Sequence, residues 1–111
     1  MSFYGDYIKE RLNREIIENE DGFATYAYCG DNGSECYIID IYVSPEKRNA
    51  KVASKLADEI SEKARERGCK YLSGSVDPIA NNATQSVMVL IAYGFRVAAV
   101  ANGLIWFTKE L

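Results

Sequence analysis

The segment VSPEKRNAKVASKLADEI, residues 43–60, joins the end of a predicted strand to the start of a predicted helix. The first turn of a helix leaves backbone N–H groups unpaired and carries about +0.5 of an elementary charge. Arg48 and Lys51 place two cations beside these donors, with small residues around them. This arrangement suits a phosphate or a pyrophosphate. The backbone groups just before the turn, at Ile41, Tyr42 and Val43, are available to an amide-rich linear ligand.

The composition sets limits on the class of protein. The chain has 111 residues, of which 48% are hydrophobic, and this predicts one domain spanning residues 1–111. No apolar run approaches the roughly 20 residues that cross a bilayer, and the N-terminus lacks the pattern of a signal peptide. We therefore expect a soluble, cytoplasmic protein without a membrane partner. A net charge of −3 does not favour direct nucleic-acid binding.

The cysteine and histidine counts exclude several kinds of site. Three cysteines without a CxxC pair argue against a disulfide framework and against a zinc site. The chain has no histidine, which excludes a histidine-based triad and imidazole metal ligands. The sequence predicts no metal.

Hydrophobic periodicity and turn residues predict the elements that would position the basic turn. The stretch CYIIDIYV, residues 36–43, is the strongest strand and is predicted to be central and covered on both faces. The helix ATQSVMVLIAY is apolar all round and is expected to be buried on more than one side. The predicted order is helix 2–13, three antiparallel strands between about 14 and 43, helix 48–67 closed by Gly68, strand 70–76, helix 83–93 and a hairpin from 94 onwards.

This order, α–β–β–β–α–β–α–β–β, predicts an α/β (α+β) fold with a mixed, mostly antiparallel sheet flanked by helices. The strands at 36–43 and 70–76 are joined by a helix, and such crossovers make the two strands parallel. The sheet should therefore open where the first of these strands ends, with the helix N-terminus beside the opening. Ligands of open α/β sheets bind at such places.

The motifs of this region resemble those of the GNAT superfamily of acyl-CoA-dependent N-acetyltransferases. The family has a strand ending in Val, then Pro-Glu, then Arg/Gln-x-x-Gly-x-Gly/Ala opening a helix. The chain reads IYV, SPE and then RNAKVA, so that Lys51 stands where the family has its first Gly. The later order of Asn, helix and Gly94-Phe95 is also similar to the family. The family's first strand has no counterpart in this chain.

The resemblance implies acetyl-CoA as co-substrate and an amine as acceptor, either on a protein or on a small molecule. The residues that it assigns to acetyl-CoA are Ile41, Tyr42 and Val43 for the pantetheine arm, Asn49, Ala50, Lys51, Val52, Ala53 and Ser54 with Arg48 beside them for the pyrophosphate, and Asn82 or Asn81 for the pantetheine or the acceptor. The short region before the first strand favours a protein acceptor, or a homodimer that completes the site.

Acetyl transfer to an amine also needs groups that move protons. Asp40, inside the central strand, and Asp77, after the next strand, are the candidate bases, and Glu35 is more remote. Burying a carboxylate such as Asp40 is costly without a partner, which favours a role for it. The family's tyrosine acid falls at Leu90 here, so that Tyr93, about a turn away, is the candidate acid.

Other interpretations stay open. Asp40 also fits a structural residue of the sheet, and Asp77 also fits a turn former. Tyr93 also fits an aromatic residue of the core, and Asn82 also fits the cap of the second helix. The chain as a whole also fits a catalytically weak module that binds CoA or a protein, or an interaction domain that uses an exposed sheet edge.

Overall fold

The computed structural model describes residues 14–48 and 51–111, and the helix predicted at 2–13 lies outside these residues. Within them, the predicted order of strands and helices is confirmed. The elements are β1 (Glu15–Asn19), β2 (Gly22–Cys29), β3 (Glu35–Val43), α1 (Val52–Glu66), β4 (Tyr71–Val76), α2 (Ala83–Tyr93), β5 (Arg96–Ala101) and β6 (Leu104–Glu110). In these ranges, no helix is both long and apolar enough to cross a bilayer.

The six strands of the described residues form one sheet in the order β1-β2-β3-β4-β6-β5. β3 and β4 are parallel, and the other neighbours are antiparallel. This confirms the predicted mixed sheet and its local parallel pair. The parallel pair requires a crossover, and α1 supplies it. The N-terminus of α1 consequently lies just beyond the end of β3.

The core lies between α1 and one face of the sheet. Leu56 and Ile60, one helical turn apart on α1, are fully buried together with Leu72 of β4. Phe107 of β6 is 1% exposed in the same cluster. We call this sheet face the helix face. Because side chains alternate along a strand, the neighbours of these residues point to the opposite side, which we call the far face. The far face carries Glu35, Tyr37, Asp40, Ser73, Ser75 and Trp106.

The long helix begins later than predicted. The sequence predicted a start at residue 48, whereas α1 begins at Val52 after a 3₁₀ turn at Pro45–Lys47. The reason is that Lys51 adopts a left-handed conformation, which does not occur inside a right-handed helix. The helix can therefore begin only after Lys51. The C-terminal end agrees with the prediction, because Gly68 has φ +89° and the Cys69 N–H donates to the Ala64 carbonyl at 2.9 Å.

The prediction that the second helix is buried on more than one side is wrong. Ala83 is the buried residue of α2, whereas Met88 is 66% and Ile91 is 54% exposed. The helix crosses from β4 to β5 near the end of the sheet, so only a narrow stripe meets the core. β5 follows at the edge of the sheet with all its residues exposed, and Val100 is 74% exposed.

Candidate active site

The parallel pair of strands separates after three residue pairs. β3 and β4 are in register at Glu35–Tyr71, Cys36–Leu72 and Tyr37–Ser73, and the pairing then stops. β3 continues to Val43, and β4 continues to Val76. We call the opening between these two strand ends the fork. The fork exposes the β4-facing edge of β3, where backbone groups can bond to a ligand instead of a strand.

A β-bulge in β3 accounts for the fork. Ile38 lies opposite Tyr26 of β2 and Asp40 lies opposite Thr25, so that Ile39 is an extra residue between them. A bulge bends its strand and increases the local twist. β4 does not follow this bend because it stays paired with β6 as far as Val76. The two parallel strands therefore diverge directly after the bulge begins.

The expectation that the central strand is covered on both faces is wrong along the fork. Ile41 is 37% exposed and Tyr42 is 46% exposed, whereas Val43 is buried. The ring of Tyr42 stacks on Phe23 of β2 with a centroid distance of 5.6 Å. Ile41, Tyr42 and Val43 thus line the fork, as a ligand along the strand requires.

The basic turn is held against the end of β3. Arg48 donates from Nε to the Val43 carbonyl at 3.2 Å, and its guanidinium lies 5.8 Å from the centre of the Tyr42 ring. Arg48 is therefore partly engaged by the protein. Asn49 and Ala50, which the sequence assigned to the pyrophosphate, lie outside the described residues.

The first turn of α1 suits an anion. Among the described residues, no side chain caps the helix and its first turn contains no acidic residue. Val52 is buried, Ala53 is half-buried and Ser54 is exposed. Their backbone N–H groups belong to the unpaired set of the helix N-terminus. The predicted pyrophosphate position at Val52–Ser54 thus lies beyond the end of β3, at the mouth of the fork.

Lys51 has φ +61° and ψ +25°, a conformation that costs a residue with a Cβ atom about 1–2 kcal/mol. The family's glycine at this position is thereby explained.

We expect Lys51→Gly to raise the free energy of unfolding by about 0.5–1 kcal/mol, since relief of strain exceeds the extra freedom of the unfolded chain. The matched change Lys55→Gly, inside the helix, should lower it by about 1 kcal/mol. Urea denaturation of both variants measures the two signs, and a destabilised Lys51→Gly would contradict the strained conformation.

Asp40 and Asp77, the candidate bases, both lie near the fork. Asp40 is exposed on the far face. The prediction that Asp40 is a buried carboxylate, which favoured a functional role for it, is therefore wrong. Asp77 directly follows β4, and its Oδ1 accepts the backbone N–H of Ile79 at 3.1 Å. This is the turn-forming arrangement that the sequence also allowed. A catalytic role stays a prediction for both.

Tyr93, the candidate acid, is engaged by α1. Its hydroxyl donates to Asp58 Oδ1 at 2.6 Å and lies 3.4 Å from Ser61 Oγ. Burial raises the pKa of Tyr93, and its hydrogen bond to Asp58 raises the pKa further. Both effects make it a weaker acid. Leu90, at the family's tyrosine position, is half-buried on the helix face near Gly74 of β4. The helix face thus offers an apolar side chain where the family has a hydroxyl.

Asn82 directly precedes α2. Its backbone carbonyl accepts the Ser86 N–H at 3.0 Å, but its side chain makes no capping hydrogen bond. Asn81 and Asn82 are both exposed after the end of β4. The alternative of a capping side chain at Asn82 is therefore not what the structure shows, and the contact with pantetheine or acceptor stays a prediction.

Two polar pairs join β3 and β4 on the far face, and the sequence did not reveal them. Glu35 accepts a hydrogen bond from Ser73 Oγ at 2.5 Å at the closed end of the fork. Tyr37 Oη lies 2.6 Å from Ser75 Oγ at its open end. The alternating tyrosines of these strands, Tyr37 among them, fit sheet packing or the lining of an acceptor pocket on sequence grounds alone. The alternation of Tyr37 with Glu35 was the available signal that both residues share a face.

Burial raises the pKa of all three cysteine thiols. The pKa rises to about 11 at Cys29 and to about 12 at Cys36, and that of Cys69 is raised as well. Cys69 donates from Sγ to the Gly33 carbonyl at 3.2 Å. Thiols with raised pKa values stay protonated at neutral pH and are poor nucleophiles. In the described ranges, no cluster of cysteine and carboxylate side chains could hold a metal ion.

A family model described as the acetyltransferase (GNAT) family matches residues 13–88, more than half of the chain. The chain belongs to the GNAT family of acetyltransferases. The predicted family and fold are thereby confirmed. Within this GNAT protein, the matched range includes the bulged strand, the fork, α1 and most of α2.

Solved structures of GNAT proteins have the same fold. A GNAT-family protein from Desulfovibrio desulfuricans has a TM-score of 0.79 at 17% identity, over 95% of this chain and 74% of its own. An acetyltransferase of Elizabethkingia anophelis, solved with acetyl-CoA bound, has a TM-score of 0.72 at 21% identity, over 96% and 82%. Nourseothricin acetyltransferase has a TM-score of 0.68 at 24% identity, over 81% and 57%. No curated protein matches the chain.

These identities show a shared fold and leave the acceptor open. The chain spans 57% of the length of nourseothricin acetyltransferase. The prediction of acetyl-CoA as co-substrate agrees with the acetyl-CoA complex among the solved neighbours. The predicted homodimer and the individual site residues stay predictions.

Proposed function

We propose that the protein transfers the acetyl group of acetyl-CoA to a primary amine by direct attack in a ternary complex. The amine nitrogen attacks the thioester carbonyl carbon, the C–N bond forms, the C–S bond breaks and CoA leaves as the thiol. Such a transfer needs a neutral, aligned amine more than it needs covalent help from the protein. The acceptor is an amine of a protein, on a lysine or an N-terminus, or of a small molecule.

The observation that carries this proposal is the fork with an uncapped helix N-terminus at its mouth. The pairing of β3 with β4 ends at Tyr37–Ser73, and α1 begins at Val52 without a capping side chain among the described residues. An extended ligand with an anionic end fits this pair of features. CoA has both parts, because its pantetheine arm carries amides and its pyrophosphate carries negative charge.

Each element then binds a different part of acetyl-CoA. The edge of β3 at Ile41–Val43, where the Val43 carbonyl also accepts a hydrogen bond from Arg48, bonds to the pantetheine amides as an added strand would. The N–H groups of Val52, Ala53 and Ser54 bond to the pyrophosphate. A backbone N–H of the bulged strand polarises the thioester carbonyl and stabilises the negative charge that develops on its oxygen.

The far face supports the proposal for the amine. Asp40 is exposed there, and Tyr37 and Tyr42 precede and follow it on the same face of β3. A carboxylate attracts the ammonium form of an amine and can accept its proton before attack. Aromatic rings beside it provide apolar contact and cation–π attraction. We infer that the acceptor reaches the thioester from the far face.

Ser54→Glu tests the position of the pyrophosphate. We expect acetyl-CoA to bind at least about tenfold more weakly, or about 1.4 kcal/mol, because a carboxylate would lie beside the phosphate oxygens. The same glutamate should raise the free energy of unfolding by about 0.3–1 kcal/mol through the helix dipole. Isothermal titration gives the affinity, and urea denaturation gives the stability.

Ser54→Gln is the matched control, with nearly the same size and no charge, and it should bind acetyl-CoA within about twofold of the unchanged protein. A folded Ser54→Glu variant with unchanged affinity would place the pyrophosphate elsewhere. Absence of acetyl-CoA binding to the unchanged protein at several hundred micromolar would refute the proposal as a whole.

A second candidate function is a module that binds CoA without turnover. The observation that favours it is on the helix face, where Leu90 is apolar and the Tyr93 hydroxyl is bonded to Asp58. A thiol-release assay over a broad panel of amines and lysine peptides separates the two functions. Turnover with any amine supports the transferase, and binding without turnover supports the module.

A further inference from the structure

The hydroxyls of Tyr37 and Ser75 form a bridge at the open end of the fork. Tyr37 is the last residue of β3 that pairs with β4, and its partner in the register is Ser73. Its hydroxyl nevertheless lies 2.6 Å from Ser75 Oγ, two residues further along β4. The phenol side chain therefore leans towards the mouth, over the space where the two strands separate.

Trp106 forms a wall beside this bridge. It lies opposite Ser75 in the β4–β6 register, and its ring centre is 6.0 Å from that of Tyr37. Its indole N–H donates to the Ala101 carbonyl at 3.2 Å, which holds the ring in place. Tyr37, Ser75 and Trp106 are all half-buried. The hydroxyl pair is thus positioned by packing while it remains accessible from the far face.

Three other groups that could move a proton are engaged by the protein, whereas the exposed Asp40 is the proposed base for the amine. Tyr93 donates to Asp58, away from the fork. Asp77 accepts from the Ile79 N–H in its own turn. Glu35 is bonded to Ser73 at the closed end, and its charge raises the pKa of the nearby Tyr71. Among these groups, the Tyr37–Ser75 bridge is the one that reaches into the opening itself.

We propose that Tyr37 is a catalytic residue of the acetyl transfer and that Ser75 relays the proton to it. This rests on the proposed function. As the amine nitrogen bonds to the carbonyl carbon and the C–S bond breaks, Tyr37 gives its hydroxyl proton to the departing sulfur. Ser75 gives its proton to the Tyr37 oxygen and takes one from the amine nitrogen. One proton moves from nitrogen to sulfur, and both hydroxyls end as they began.

The test compares Tyr37→Phe with Tyr71→Phe. Both changes remove a phenol hydroxyl from β3 or β4, but that of Tyr71 is near Glu35 at the closed end. With the best amine of the panel, we expect Tyr37→Phe to lower kcat at least about tenfold, while KM and the dissociation constant for acetyl-CoA stay within about twofold. Tyr71→Phe should keep kcat within about twofold.

Ser75 supplies a second, independent test. Ser75→Ala should lower kcat about three- to tenfold, and Ser75→Thr, which keeps the hydroxyl, should restore most of the loss. A purely structural role would instead change stability and affinity together. If the unchanged protein turns over an amine and both Tyr37→Phe and Ser75→Ala retain its kcat, this inference fails and the transferase function stands. If acetyl-CoA binds but no amine is acetylated, the transferase function fails and the inference fails with it.

Discussion

Gly22→Ala should lower the free energy of unfolding by about 3 kcal/mol and weaken acetyl-CoA binding. Gly22 lies opposite Val43 in the β2–β3 register, and a Cβ atom there would overlap the carbonyl oxygen of Tyr42 and lie 3.0 Å from Val43 Cα. Both neighbours are backbone atoms and cannot move aside as a flexible side chain can. The end of β3 would have to shift, at a cost near the upper end of that seen for overpacked sites. Because the fork uses this part of β3, affinity and stability should fall together.

Gly74→Ala is the matched control in β4. A Cβ atom at Gly74 would meet Leu90 Cδ2 at 3.9 Å, an ordinary contact. We expect stability that is unchanged or raised by about 0.4–1 kcal/mol, since alanine restricts the unfolded chain. Urea denaturation of the two variants gives the comparison. If Gly22→Ala stayed within 1 kcal/mol of the unchanged protein, β2 would not approach β3 as closely as the structure shows.

Leu56→Ala should lower the free energy of unfolding by about 2–5 kcal/mol. Leu56 is fully buried in the cluster that joins α1 to the sheet. Truncating its side chain to a methyl group loses the transfer free energy of three carbon atoms and leaves a cavity. Domains of this kind have total stabilities of about 5–15 kcal/mol, so the variant would lose a large part of its free energy of unfolding and would unfold at a lower temperature. Thermal and urea denaturation both measure the loss.

Lys55→Ala separates the core from the helix itself. Lys55 is the exposed neighbour of Leu56 on α1, and alanine is an equally good helix former. This variant should stay within about 0.5 kcal/mol of the unchanged protein. A Leu56→Ala variant that lost less than 1 kcal/mol would mean that α1 is held mainly by other contacts. The N-terminus of α1 would then be less firmly fixed at the fork than its packing indicates.

These experiments concern residues that lie within the range matched by the family model. The chain belongs to the GNAT acetyltransferases, and its fork and helix N-terminus lie within the matched residues 13–88. The departures at Lys51 and Leu90 affect different steps. Lys51 adds strain to the turn at the proposed pyrophosphate position, whereas Leu90 is apolar where the family has a tyrosine hydroxyl. The first therefore bears on stability and binding, and the second on proton transfer.

Some predictions failed because burial depends on what lies beside an element. The helix Ala83–Tyr93 is apolar all round, yet Met88 and Ile91 are exposed because the helix lies near the end of the sheet. Asp40 lies in the strongest strand, yet it is exposed where that strand separates from β4. A sequence pattern describes which side chains can be buried, and neighbouring elements decide which of them are.

The sequence by itself determined the order and type of the elements in the described residues, the parallel pair and the basic turn before α1. These follow from periodicity and turn residues, which act over a few neighbouring positions. Only the tertiary structure decided that Lys51 is left-handed, that a bulge at Ile39 opens the fork, and that Tyr37 meets Ser75. The last two residues are 38 positions apart, and no local pattern brings them together. Their contact depends on strand register and on the bend of β3, which the packed sheet sets as a whole.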